Sequence, residues 1–213
     1  QKDHMIISMN KDNPQIFEPY KINIKTAEIE KLYTNDDLNN PISGYDFDKD
    51  GNLRGYTKQQ NGTEYVLYYR TAEDKEFEEV MKTTWKDNFY IIQFNYQSDN
   101  PHDAYVISNM NSNTDEIILY DLAKKEEIQK VYSNETFDVG GMSVSRKRGF
   151  EVDYYYYTGE KNQVEAVSET AKTLKEKFEK QFGDKDFFVT SKTDEEDKYL
   201  IYVTSDRLYG RYC

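Results

Sequence analysis

The feature of this sequence that most constrains its fold is a strand–turn–strand segment that occurs three times. In the clearest copy, residues 115–134, the apolar run 117–122 is followed by a polar turn and then by a strand of alternating polarity. The closing residues of the three copies, Leu32, Val80 and Val131, are 48 and then 51 residues apart. A strand-rich repeat of roughly 40–50 residues is typical of the blades of a β-propeller.

The repeat predicts an all-β chain in which residues 1–213 form an incomplete β-propeller of four-stranded antiparallel blades. One helix interrupts the repeat near residues 168–182, where Ser168 precedes apolar residues at helical spacing and Gly183 follows them. We expect this helix to replace an outer strand. The predicted blades span residues 1–35, 42–83, 88–134, 137–183 and 186–213.

A β-sandwich is the alternative fold for so many short strands. The strands of a sandwich alternate between a buried and a solvated face. Residues 65–69, 117–122 and 199–203 are instead apolar on both faces, so neighbouring sheets are expected to cover both sides of each. Blades stacked side by side provide that cover, which favours the propeller.

The composition supports strands and excludes some partners. The 213 residues include 20 Tyr and 11 Phe but only four Pro and ten Gly, a balance that favours pleated strands over helices. A formal net charge of −12 repels polyanions, so nucleic acid is not expected as a partner. No apolar run is long enough to span a bilayer, so no membrane partner is expected either. The single cysteine, Cys213, excludes an internal disulfide and gives no indication of the cellular compartment.

Several segments resemble the propeller of the prolyl oligopeptidase family of serine peptidases, especially its acylaminoacyl-peptidase-like branch. The segments occur in the order that the family shows and cover most of the chain, although Leu208-Tyr209-Gly210 departs from it where the family commonly has Pro before Gly. The resemblance is carried by residues 4–9, 20–28, 32–35, 105–109, 115–117 and 199–207, and by the helical insertion after Val167.

The resemblance implies a two-domain enzyme that hydrolyses short peptides. Its propeller would screen peptides, and a C-terminal α/β-hydrolase domain of the same chain would carry the Ser, Asp and His. That catalytic domain is absent from residues 1–213, which start without Met and end at Cys213 in a predicted strand, so we expect a fragment of a longer protein. The alternative function is a stand-alone β-propeller that binds a protein or a glycan.

Catalytic residues for hydrolysis are not found in this segment. A nucleophile elbow requires the pattern G-x-S-x-G, and the nearest string, residues 141–145, ends in Ser and precedes a basic turn. The only candidate bases are His4 and His102, and each is more simply a surface histidine.

Other candidate sites also have simpler structural explanations. Residues 46–51, D-F-D-K-D-G, match the first half of a calcium loop, but Thr57 stands where the bidentate Glu is required, which favours a hairpin turn. The tyrosine run 154–157 is either an aromatic platform or strand core with hydroxyls at its rim. The acidic segments 73–79 and 195–197 are interpreted as solvated loop charges.

The sequence therefore assigns no catalytic, cofactor-binding or metal-binding residue, and it predicts no cofactor. An open set of blades would leave apolar faces and strand edges uncovered, so we also predict self-association of the fragment.

Overall fold

The computed structural model describes residues 3–213, in which we number seventeen strands and one helix in chain order. Sheet 1 contains β1 (His4–Met9), β2 (Glu18–Asn23) and β3 (Ile29–Lys31). Sheet 2 contains β4 (Ile42–Phe47), β5 (Leu53–Gln60), β6 (Glu64–Tyr69) and β7 (Glu78–Thr84). Sheet 3 contains β8 (Phe89–Phe94), β9 (Asp103–Ser108), β10 (Glu116–Asp121) and β11 (Glu126–Tyr132). Sheet 4 contains β12 (Val139–Ser145), β13 (Glu151–Thr158) and β14 (Asn162–Ala166), and α1 (Glu169–Phe182) follows it. Sheet 5 contains β15 (Asp186–Lys192), β16 (Tyr199–Ser205) and β17 (Leu208–Tyr212).

Each sheet is built from strands that are consecutive in the chain and pair with their sequence neighbours. Sheets 2 and 3 have four strands, whereas sheets 1, 4 and 5 have three within the described residues. In sheet 4, α1 follows β14 at the point where sheets 2 and 3 have a fourth strand. The predicted all-β class, with antiparallel sheets and one inserted helix, is confirmed.

The described chain divides into two compact units. Unit 1 comprises the chain up to Phe94 together with His102–Ser112 and Ile118–Gln129, and unit 2 comprises Asn95–Pro101, Asn113–Ile117 and Lys130–Cys213. Sheets 1 and 2 therefore belong to unit 1, and sheets 4 and 5 and α1 belong to unit 2. Sheet 3 is divided, with β8 and β9 wholly in unit 1.

The central strand of the repeat, β10, is buried along its whole length. Ile117 and Ile118 are buried in apolar surroundings, and the burial of each side chain stabilises the fold by roughly 2 kcal/mol. The Glu116 carboxylate lies 2.6 Å from Lys130 Nζ, so its charge is paired. The prediction that both faces of this strand are covered is confirmed for β10.

The same prediction was wrong for β16. Ile201 and Val203 of that strand are buried, but Leu200 is 44% exposed. The two faces of β16 are therefore unequal: one packs on α1 and the other meets solvent at Leu200.

The helix α1 begins and ends as its sequence predicts. The Ser168 Oγ accepts a hydrogen bond from the Ala171 backbone N at 3.1 Å, and Gly183 closes the helix with φ +67°. Phe178 and Phe182 are buried against β15 and β16. No helix within residues 3–213 combines the length and the apolar character needed to cross a bilayer.

The candidate calcium loop is the tight turn between β4 and β5. One carboxylate oxygen of Asp48 accepts hydrogen bonds from the backbone N of Asp50 at 3.0 Å and of Asn52 at 2.9 Å. Gly51 adopts φ +87°, a conformation that suits glycine. The Asp48 carboxylate is thus occupied by its own turn, and the hairpin prediction is confirmed.

Asn35 joins the end of sheet 1 to the first strand of sheet 2. Its buried side-chain amide donates to the Ile42 carbonyl at 3.0 Å, and its Oδ1 accepts from the Ile42 backbone N at 2.9 Å. We expect Asn35→Ala to lower the free energy of unfolding by about 2 kcal/mol, because both groups of Ile42 lose their partner. Urea denaturation measures the loss. The exposed Asn39→Ala serves as the control, and an equal effect of the two substitutions would contradict this role of Asn35.

Candidate functional site

Two adjoining cavities in unit 2 lie between β13, α1 and β15. One has a volume of about 200 Å³ and its neighbour about 310 Å³, and they share Tyr154, Tyr156 and Val189 in their walls. Volumes near 300 Å³ are at the lower end of the range for small-ligand sites. We therefore treat these two cavities and the charged residues beside them as the candidate site.

An irregularity in the backbone of β13 directs two adjacent side chains, those of Asp153 and Tyr154, into this site. Tyr154 pairs with Ser143 and Val152 pairs with Val144, so Asp153 is the extra residue of a β-bulge. A bulge re-aims the side chain that it carries. The Asp153 carboxylate consequently reaches the same region as Tyr154, although the two residues are adjacent in a strand.

Four residues form what we call the charge cluster: Arg148, Asp153, Lys192 and Glu196. Arg148 Nη1 lies 2.7 Å from Glu196 Oε2, and Nη2 of the same guanidinium contacts Asp153 Oδ1. Lys192 Nζ lies 2.7 Å from Glu196 Oε1 and 3.4 Å from Asp153 Oδ2. The two carboxylate side chains are only 6% and 5% exposed, whereas the two cations are about a quarter exposed. The cluster therefore fixes the β12–β13 hairpin to the β15–β16 hairpin through buried carboxylates.

Two serine hydroxyls complete the hydrogen bonding of these carboxylates. Ser145 Oγ donates to Glu196 Oε2 at 2.9 Å, and Ser168 Oγ donates to Asp153 Oδ1 at 2.6 Å. Ser145 is fully buried and also accepts from the Arg148 backbone N at 3.1 Å. Its hydroxyl is thus a structural partner of the cluster, and it belongs to the string 141–145 that was weighed against a nucleophile elbow.

The pKa values of the site follow from burial and from these partners. Burial alone would raise the pKa of Glu196, but hydrogen bonds from Lys192 and Ser145 outweigh it and hold that pKa below its ordinary value. Burial raises the pKa of Tyr154 and of Tyr199. Both phenols are therefore protonated at neutral pH, and Tyr154 Oη donates to the Ala171 carbonyl at 3.2 Å.

The larger cavity combines an aromatic wall with lysines. Phe178 and Phe187 line it from α1 and β15, and their ring centres are 5.7 Å apart. Its other lining residues include Lys161, Lys175 and Lys185. Glu179 and Asp186 also line it, so the cavity combines apolar surface with charges of both signs. The residues that line the two cavities therefore provide groups that can bind a ligand.

The interpretation of residues 195–197 as solvated charges was wrong for Glu196. Its side chain is buried in the charge cluster, and its backbone adopts φ +51° to place it there. The charge of this segment gave no signal of that burial, because two of the partners of Glu196, Arg148 and Ser145, lie in a different hairpin. The acidic residues of segment 73–79 are exposed as expected.

The tyrosine run 154–157 contributes both to the core and to the walls of the candidate site. Tyr155 is buried and stacks on Tyr132 at 4.4 Å between ring centres, whereas Tyr154 and Tyr156 line the cavities. Because successive side chains of a strand point to opposite faces, Tyr155 lies on the face opposite to Tyr154 and Tyr156. The core contact of Tyr155 and the cavity contacts of Tyr154 and Tyr156 therefore lie on opposite faces of β13.

The two histidines lie in unit 1. His4 begins β1, and His102 Nδ1 lies 3.1 Å from the Tyr69 hydroxyl. Within residues 3–213, no group of three or more His, Cys, Asp or Glu side chains is arranged to hold a metal ion.

No protein-family model and no curated protein matches this sequence. Among solved structures, the fold is similar to one from a structural and mechanistic study of two prolyl endopeptidases and of inter-domain dynamics in their catalysis and specificity. The TM-score is 0.57 and the sequence identity is 12%. The match covers 99% of this chain and 33% of that chain, so this chain spans about a third of that protein's length. At this identity the likeness shows the fold, which is a partial β-propeller related to that of prolyl endopeptidases.

Proposed function

We propose that this chain is the non-catalytic, substrate-gating propeller part of a serine peptidase of the prolyl oligopeptidase type. The observation that carries the proposal is the fold match over 99% of this chain to 33% of a prolyl endopeptidase. In the parent protein, a hydrolase domain of the same chain performs acyl transfer from the peptide to Ser, with His as base. The five sheets correspond in this proposal to the blades 1–35, 42–83, 88–134, 137–183 and 186–213.

In this proposal, gating depends on the size of a passage bounded by the sheets and on the rigidity of those sheets. Antiparallel sheets with buried central strands resist local opening, so a passage bounded by them admits an extended peptide and excludes a folded protein. The cavities of unit 2 support transient peptide contact, since tyrosine hydroxyls and lysines can pair with a peptide backbone and with its carboxylate end.

A length series of substrates tests this function. The intact parent protein is assayed with fluorogenic peptides of increasing length that share one scissile bond, and with a folded domain that carries the same bond in a surface loop. We expect cleavage of the short peptides and no cleavage of the folded domain.

Two outcomes would contradict the proposal. Absence of peptide hydrolysis by the intact protein would favour a stand-alone propeller that binds a protein or a glycan. Equal cleavage of the peptides and of the folded domain would show a peptidase without gating.

Self-association of the isolated 213-residue chain is a further expectation. Met5 and Ile29 of sheet 1, and Ile24 in the turn after β2, are each exposed by more than a third of their surface. Exposed apolar residues on a small sheet promote association between copies. Light scattering should show a mass above 25.3 kDa at high concentration, and Met5→Lys with Ile29→Lys should lower it. A monomer at all concentrations would contradict this expectation.

A further inference from the structure

A second cleft, in unit 1, is bordered by the single tryptophan of the chain. Trp85 lies in the connection between β7 and β8 and is 70% exposed, and Tyr90 beside it in the cleft is 41% exposed. The cleft has a volume of about 420 Å³, which is sufficient for a small ligand. Large aromatic rings that line an open cleft together mark a binding surface more often than isolated exposed residues do.

The turn that carries Trp85 is held by side chains on both sides. Thr84 Oγ1 donates to Asp87 Oδ2 at 2.7 Å, and the Asp87 backbone N donates to the Thr84 carbonyl at 3.1 Å. The Asn109 side-chain amide donates to the Lys86 carbonyl at 3.4 Å. Lys86 Nζ also lies 5.3 Å from the centre of the Trp85 ring. The backbone of the turn that carries the indole is therefore held in one conformation, which reduces the backbone entropy lost when a ligand binds there.

The rest of the cleft is neutral and rich in hydroxyl groups. Asp87 is the one charged residue among those that line it in the described part of the chain. Within residues 3–213, no hydrogen bond engages the Thr57 hydroxyl, so it is available to a ligand. The hydroxyl side chains in the lining, besides Tyr90, are those of Ser43, Thr57, Tyr65, Thr83 and Thr84.

Gly44 leaves the floor of the cleft open. A methyl group added at this position would meet no atom within 4 Å. A glycine inside a strand often marks a place where a ligand approaches the backbone closely. Gly44 therefore offers a position at which a larger side chain would fill the cleft without disturbing the strand.

We propose that this cleft binds a neutral pyranose unit of an oligosaccharide. One face of such a ring is formed by C–H groups, which pack on the indole, and its rim carries hydroxyls, which pair with the threonine and tyrosine hydroxyls. Anionic sugars are disfavoured by Asp87 and by the net charge of −12. The proposal is independent of the peptidase function, because it concerns a different cleft and a different ligand.

A peptide that contains proline is the competing ligand, since its ring can also pack on Trp85. A proline unit supplies a single carbonyl as hydrogen-bond acceptor and no donor. The hydroxyls of Ser43, Thr83 and Thr84 already donate within the protein. A proline ring would still cover the Thr57 hydroxyl without supplying a partner for it, and desolvating a hydroxyl without a partner is unfavourable. The lining therefore favours the sugar.

The single tryptophan gives a direct readout for the test. The 213-residue chain is titrated with maltose, lactose, cellobiose and N,N′-diacetylchitobiose while Trp85 emission is followed, and saturation-transfer NMR of each sugar is recorded in parallel. We expect a saturable change in emission with at least one sugar, together with saturation transfer to its ring protons. A proline-rich peptide of matched length is titrated in the same way.

Substitutions locate the binding. Gly44→Leu should abolish both signals, whereas the matched control Gly44→Ala should retain them. Thr57→Val should weaken binding about fivefold, which corresponds to one lost hydrogen bond. Trp85→Ala should remove saturation transfer, and unchanged thermal unfolding of each variant shows that the fold is intact.

The proposal is overturned if neither method detects any of the sugars. It is also overturned if Gly44→Leu leaves the signals unchanged, or if the peptide alone saturates.

Discussion

We expect Arg148→Met to lower the free energy of unfolding by about 3 kcal/mol. The guanidinium pairs with the nearly buried carboxylates of Asp153 and Glu196, and Met fills a similar volume without replacing the charge. Removing one partner of a buried ion pair typically costs about 3–5 kcal/mol. We take the lower value because Arg148 is 26% exposed and Lys192 still faces both carboxylates. Thermal unfolding should shift down by roughly 6–12 °C for a chain of this size.

Lys147→Met is the matched control, because the neighbouring lysine is half exposed and lies 3.8 Å from the exposed Glu195 carboxylate. Its effect should stay below about 0.5 kcal/mol. Adding Glu196→Gln to Arg148→Met should restore part of the lost stability, since the cluster then holds one carboxylate, Asp153, for its one remaining cation, Lys192. Equal effects of Arg148→Met and Lys147→Met would contradict a buried charge cluster.

Asp46→Asn is expected to stabilise the protein by about 2–4 kcal/mol at pH 8 and to have little effect at pH 4. The Asp46 carboxyl lies on β4 against Gly55, 3.1 Å from where a Cβ of that residue would stand. Within residues 3–213 no hydrogen bond or ion pair to this carboxyl is found, and burial raises its pKa from 3.8 to about 7. A pKa difference of that size between the folded and the unfolded chain corresponds to roughly 4 kcal/mol of stability. We expect a smaller effect because Asp46 is partly accessible to solvent.

The direction of the pH dependence follows from proton binding. Between about pH 4 and pH 7 the folded chain keeps a proton on Asp46 that the unfolded chain releases, so this residue's contribution to stability falls as the pH rises through that window. Other carboxyls, such as Glu18 and Glu64, have lowered pKa values and act in the opposite sense at lower pH. Urea denaturation of the wild type and of Asp46→Asn at several pH values isolates the single group by difference.

Asp50→Asn, exposed in the turn of the same hairpin, controls for the general effect of removing one negative charge from an acidic protein. A constant difference between wild type and Asp46→Asn from pH 4 to pH 8 would rule out this account of Asp46.

Much of the fold could be predicted from local patterns. The short apolar runs 65–69 and 117–122 predict β6 and β10, because the length and the side-chain pattern of a strand can be recognised from consecutive residues. The helix could be located almost to the residue, since Ser168 and Gly183 are strong start and stop signals. These features depend on interactions between residues close in the chain.

The candidate site could be predicted only in part, because it depends on distant pairs. The tyrosines of 154–157 were visible as a run, but nothing local distinguishes Glu196 from its exposed neighbours. Its burial results from Arg148, which lies in another hairpin, and from the bulge that turns Asp153 inward. Trp85 is a similar case. A single Trp in a sequence is easily interpreted as a core residue, and its exposure is visible only in the structure.

Our central proposal is that residues 1–213 gate a serine peptidase and carry none of its catalytic groups. Reaction of the intact protein with a fluorophosphonate, followed by peptide mapping, tests this claim most directly. We predict one labelled serine, located outside residues 1–213 and within a G-x-S-x-G sequence. A protein that is not labelled at all, or a label on a serine of this chain such as Ser143, would contradict it.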